Sequence, residues 1–87
     1  MEITMRDSAG RDIALLGDGT DHGGKVVEGA ADFTQRGIPV ALDGHQVECA
    51  KCGGTYPIIA TGQMTHKGIR VAYIGDVTAC GAVLMRN

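Results

Sequence analysis

Three segments of the 87-residue chain align on one another without a gap. The first passes from Gly10 through Ile13, Ala14, Gly17 and Asp18 to His22. The second passes from Gly37 through Val40, Ala41, Gly44 and His45 to Cys49, and the third from Gly68 through Val71, Ala72, Gly75 and Asp76 to Cys80. Each copy has the same framework: glycine, a β-branched residue, alanine, a second glycine, Asp or His, and a metal-capable side chain. Units this small cannot each bury a hydrophobic face alone, so the three must share one core. Three like units in one chain predict pseudo-three-fold symmetry, a geometry suited to docking on the axis of a homotrimer.

Each unit reads as a β-hairpin. A short β-prone run (3–5, 32–34 and 63–65) leads into a turn (7–10, 35–37 and 66–68) whose glycine supplies a positive φ. An apolar return strand follows, and Gly-Asp or Gly-His then turns the chain toward the metal-capable residue. Glycine interrupts every window and no 3.6-residue periodicity is present, so no helix is expected. The fold class is all-β: short hairpins with an internal pseudo-three-fold repeat, each handing a side chain to one shared point. Ile13, Leu15, Val40, Leu42, Val71 and Tyr73 are expected to divide between the core and a docking face.

The shared point has the chemistry of a metal site. His22, Cys49 and Cys80 stand at the same offset in the three copies, and Cys52 completes a CxxC with Cys49. One imidazole and three thiolates fill the four places of a tetrahedral Zn²⁺ and leave none for a reacting water, so one structural zinc is expected and no catalysis. Glycines beside the ligands (Gly23, Gly53 and Gly81) are expected to let backbone approach the ion. His45 and His66 stay open as substitutes for a cysteine, although a surface position and a turn position suit them better. Asp18 and Asp76 are expected to bond turn backbone. No Ser-His-Asp spacing, P-loop or nucleophile elbow is present, and no catalytic residue is expected.

Composition narrows the alternatives. The aromatic supply is Phe33, Tyr56 and Tyr73 with no Trp, so a domain this small needs an outside staple such as a metal. The formal net charge of −2 and the lack of a basic run count against nucleic acid. A zinc-dependent interaction module and a thiol redox protein using Cys49 and Cys52 are the rival readings. Met1-Glu2-Ile3-Thr4 lacks the basic and apolar regions of a signal peptide, and no membrane span is long enough, so folding in the cytoplasm is expected.

The runs Gly17-Asp18-Gly19-Thr20-Asp21-His22-Gly23-Gly24, Cys49-Ala50-Lys51-Cys52-Gly53 and Val71-Ala72-Tyr73-Ile74-Gly75-Asp76-Val77-Thr78-Ala79-Cys80-Gly81-Ala82 resemble the PAAR-motif family. The resemblance spans about Gly10 to Leu84, although the name-giving motif is degenerate, as Pro39-Val40-Ala41-Leu42. It implies a cone of short strands with zinc near the apex, a monomer when free. The cone's base would cap the trimeric VgrG-type spike of a type VI secretion apparatus, or the spike of a phage-tail-like particle. The cap would sharpen the spike, travel out on it, touch the target membrane only on firing and help to deliver effector proteins. The family's zinc set is richer in histidine, and Cys52 stands where many members have His. A single PAAR-like domain over residues 1–87 is expected, with no effector extension.

Overall fold

The computed structural model describes residues 12–86, and the first expected hairpin, at residues 3–10, lies outside them. Within the described residues the chain forms strands and no helix: β1 (Gly19–Thr20), β2 (Lys25–Val26), β3 (Ala30–Gln35), β4 (Ile38–Val40), β5 (Gln46–Cys49), β6 (Gly54–Ile59), β7 (Thr65–His66), β8 (Ile69–Arg70), β9 (Val77–Thr78) and β10 (Leu84–Met85).

The repeat closes on itself through backbone hydrogen bonds. Ala14 N–H donates to the Ala72 carbonyl at 2.9 Å, Ala41 N–H to Ala14 at 2.9 Å, and Ala72 N–H to Ala41 at 3.0 Å. A second ring runs the opposite way round, with Leu16 N–H donating to Pro39, Asp43 N–H to Arg70 and Ile74 N–H to Asp12, each at 2.8 Å. Antiparallel bridges Ile13↔Tyr73, Leu15↔Val40 and Leu42↔Val71 complete the triangle. Three backbones meet at the alanines, all fully buried. Only a methyl group leaves room there, which explains the recurrent alanine.

Period-two alternation sorts the neighbouring side chains between two cores. Ala14, Ala41 and Ala72 join Val26, Val47, Ile58 and Leu84 in one cluster. Ile13, Val40, Leu42, Val71 and Tyr73 join Ala30 in the other, with Leu15 packed against it. The six residues expected to divide between core and docking face therefore share one core.

A six-stranded antiparallel sheet in the order β10-β1-β2-β5-β6-β9 surrounds the first cluster. The bridge Val77↔Val83 joins its two ends, so the sheet is nearly closed. The result is an elongated, cone-like body of 38 × 23 × 23 Å. Two further hairpins, β3–β4 and β7–β8, pair separately. Their turns are the expected ones, and the residue before each glycine is left-handed too: Arg36 at φ 56 with Gly37 at 76, and Lys67 at 53 with Gly68 at 82. Positive φ at both central residues is the I′ pattern that matches strand twist.

These two hairpins are clasped together. The His66 ring stacks on Phe33 at 4.7 Å and its Nε2 lies 3.1 Å from Asp32 Oδ1, while Lys67 pairs with the other carboxylate oxygen. Hydrogen bonds from Lys67 and then His66 lower the Asp32 carboxyl from 3.8 to about 2. A depressed carboxyl contributes stability above its unfolded pKa and loses it as pH falls through the folded value. The clasp should therefore be complete above pH 3.8 and lost as pH approaches 2. A carboxyl ¹³C titration should place the Asp32 midpoint near 2, and a midpoint near 3.8 would contradict the clasp.

Candidate metal centre

The six-stranded sheet consists of three hairpins, β1–β2, β5–β6 and β9–β10, whose turns lie together at one end. Those turns carry His22, Cys52 and Cys80, β5 ends on Cys49, and one ligand-capable atom from each of the four lies within 4.8 Å of every other. Cys49 is buried, His22 and Cys80 are half-buried, and Cys52 is exposed. This is the only such His/Cys/Asp/Glu group identified among the described residues. The four side chains that the sequence singles out therefore lie together in space.

The edge between Cys49 and His22 suits a tetrahedral ion. Cys49 Sγ lies 3.5 Å from His22 Nδ1. A tetrahedron with bonds of about 2.3 Å to sulfur and about 2.05 Å to nitrogen has an S···N edge of about 3.5 Å. Ligation through Nδ1 would leave Nε2–H facing Asp21, whose Oδ1 is 3.9 Å away. The four side chains could hold one metal ion.

The thiols differ from one another. The hydrogen bond between the Thr78 hydroxyl and Cys80, foremost, pulls Cys80 down from 9.0 to about 6. Hydrogen bonds with Cys49 and then Cys80 push Cys52 up from 9.0 to about 12. Cys80 therefore loses its proton more easily than Cys52, and any metal held by these thiols should bind more tightly as pH rises.

Local pairing revises how the ligands correspond. Gly23 N–H donates to the Thr20 carbonyl, Gly81 N–H to Thr78 and Gly53 N–H to Cys49. In the same register Cys49 pairs with Gly54, Thr20 N–H bonds the Gly24 carbonyl and Thr78 N–H bonds that of Ala82. The structural equivalents are therefore His22, Cys52 and Cys80. Cys49 holds the place that threonine holds in the other two hairpins. The second hairpin is also longer, with four residues in β5 against two in β1 and two in β9. Its turn is one residue longer as well, since Gly53 N–H reaches back four residues where Gly23 and Gly81 reach back three, and a constant sequence offset conceals both changes.

The glycines after His22, Cys52 and Cys80 are needed for turn geometry. Gly23, Gly53 and Gly81 have φ of 76, 77 and 87, and a Cβ would meet at most Ala50 Cβ at 3.9 Å. They supply turn conformation, and the close approach of one backbone to another falls at Gly24, where a Cβ would lie 1.7 Å from the Glu48 carbonyl oxygen.

The PAAR motif family matches residues 16–86. The chain belongs to the PAAR-motif family. No curated protein gives a significant match. Membership carries a general role at the tip of a spike, and the family is a structural one. No helix among the described residues is long and apolar enough to cross a membrane.

The remaining polar residues of the repeat buttress turns. Asp18 Oδ2 accepts Leu15 N–H at 2.8 Å, Asp76 Oδ2 accepts Tyr73 N–H at 2.9 Å, and His45 Nδ1 accepts Leu42 N–H at 3.0 Å. His45 is therefore an aspartate substitute with its proton on Nε2. His66 belongs to the clasp. Thr20 and Thr78 escaped the sequence reading because their offset carries Val47 in the second copy. The Thr-x-His and Thr-x-Cys runs are the signal that could have found them.

Proposed function

We propose that this chain caps and sharpens a trimeric VgrG-like spike of a type VI secretion apparatus, with one structural Zn²⁺ held by His22, Cys49, Cys52 and Cys80. Support comes chiefly from the two cyclic rings of hydrogen bonds, which give one chain three near-equivalent sides. Such a body can offer nearly equal contacts to each subunit of a trimer, which an asymmetric module cannot. The metal-binding end would form the apex, and the end bearing β3–β4 and β7–β8 would face the spike.

The role is mechanical. Zinc would tie three hairpin turns, four of whose six strands have two residues, into one point. Pairs that short are marginal in water without a further restraint. Zinc is favoured because a thiolate-rich, closed, four-ligand set suits it. On this reading the cap assembles in the cytoplasm, leaves with the spike and meets the target membrane on firing, carrying effectors borne by its partner.

The test combines elemental analysis with mixing on a trimeric spike protein. About one zinc per chain and one chain per trimer are expected by light scattering. Three chains per trimer would rule out docking on the axis, and no binding would remove the capping role.

A further inference from the structure

The three metal-bearing turns are braced by equivalent side-chain acceptors, two of which are not ligands. Thr20 Oγ1 accepts His22 N–H at 3.2 Å and Gly24 N–H at 3.1 Å. Thr78 Oγ1 accepts Ala82 N–H at 3.2 Å and lies 3.1 Å from Cys80 Sγ. Both threonines are at least 95 % buried, with exposures of 5 % and 2 %. In the second hairpin the same brace comes from Cys49, whose Sγ accepts Cys52 N–H at 3.2 Å.

We infer that Thr20 and Thr78 are positioning residues for the metal, and that the Thr78 hydroxyl donates its proton to the Cys80 sulfur. The inference rests on the metal reading above. A metal-bound cysteine has lost its proton and can only accept, so the hydroxyl must be the donor. The same oxygen receives Ala82 N–H, which holds its proton toward sulfur. Thr20 is followed by His22 where Thr78 is followed by Cys80, and is placed to orient the turn alone. Thr78 both orients its turn and withdraws charge from one ligand. Partners beyond the ligands commonly tune affinity in this way.

Cobalt(II) uptake and zinc competition against a chromogenic chelator separate the two roles. Thr78→Val should weaken zinc binding about ten- to a hundred-fold. It should also move the sulfur-to-cobalt charge-transfer band to longer wavelength, because the sulfur becomes more electron-rich. Thr78→Ser keeps the hydroxyl and should match the wild type in both readouts. Thr20→Val should weaken affinity and leave the charge-transfer band in place. A general loss of packing would move none of these bands selectively. If the wild type takes up no cobalt or zinc, the metal reading falls and this inference with it. If the wild type binds but Thr78→Val matches it, or Thr78→Ser shifts as Thr78→Val does, the metal reading survives and the hydroxyl's role is overturned.

Discussion

Replacing Cys49 with serine, or stripping the zinc-loaded protein with a chelator, is expected to collapse the pointed end of the cone. A structural zinc contributes on the order of 10 kcal/mol to folding. A whole domain is typically stable by only about 5–15 kcal/mol. Cys49 is 1 % exposed and its sulfur serves two partners, Cys52 N–H at 3.2 Å and His22 Nδ1 at 3.5 Å. Serine would remove a soft ligand and shorten the reach to both. With about 4–8 °C of melting temperature for each kcal/mol in a domain this size, the midpoint should fall by more than about 20 °C. The alanine ring contains none of the four metal-capable residues and should outlast the metal, leaving slow amide exchange at Ala14, Ala41 and Ala72 while Thr20 and Thr78 exchange quickly. Cys52→Ser should cost less, because its sulfur is exposed and water can take its place. A metal-free protein with an unchanged midpoint would show that the four side chains merely adjoin one another.

The repeat framework was legible because each of its positions has a local physical cause. A glycine at positive φ, an alanine where backbones crowd and an Asp or His that accepts a turn N–H can each be read from residue type and spacing. The gathering of His22, Cys49, Cys52 and Cys80 was legible for the same reason, since few arrangements other than a shared point bring histidine and three cysteines to the ends of repeated units. The second layer of hairpins was not. Strands of two residues, such as Lys25–Val26 and Leu84–Met85, carry no periodicity to detect. Their existence depends on pairing across the repeat, which alternation within one segment cannot reveal. The extension of the second hairpin was hidden for a related reason. Two residues were added to each of its strands, so the alternation stayed in phase while Cys49 moved into the threonine place.

Gly24→Ala should be among the most damaging single substitutions in the chain, although the repeat suggests that it is harmless. The equivalent residues are Gly54 and Ala82, so the third copy already carries alanine there. In the first copy a Cβ would lie 1.7 Å from the Glu48 carbonyl oxygen and 2.7 Å from its carbon. Both obstacles are backbone, held by the Lys25↔Glu48 and Val26↔Val47 pairs, and neither can swing aside. Relief requires β2 to part from β5, which opens the sheet next to His22 and draws its imidazole away from Cys49. The cost should exceed the roughly 1–3 kcal/mol usual for overpacking. Gly81→Ala supplies the contrast. Its φ of +87 strains any L residue, but nothing lies within 4 Å of the new methyl. It should cost about 1–2 kcal/mol, the usual penalty for a single left-handed residue. Denaturant midpoints of the two zinc-loaded variants, read beside their zinc affinities, decide the matter. A steric cause requires Gly24→Ala to lose stability and metal together while Gly81→Ala keeps most of both. Equal losses would mean that turn conformation, and not the close approach of β2 to β5, governs this end of the molecule.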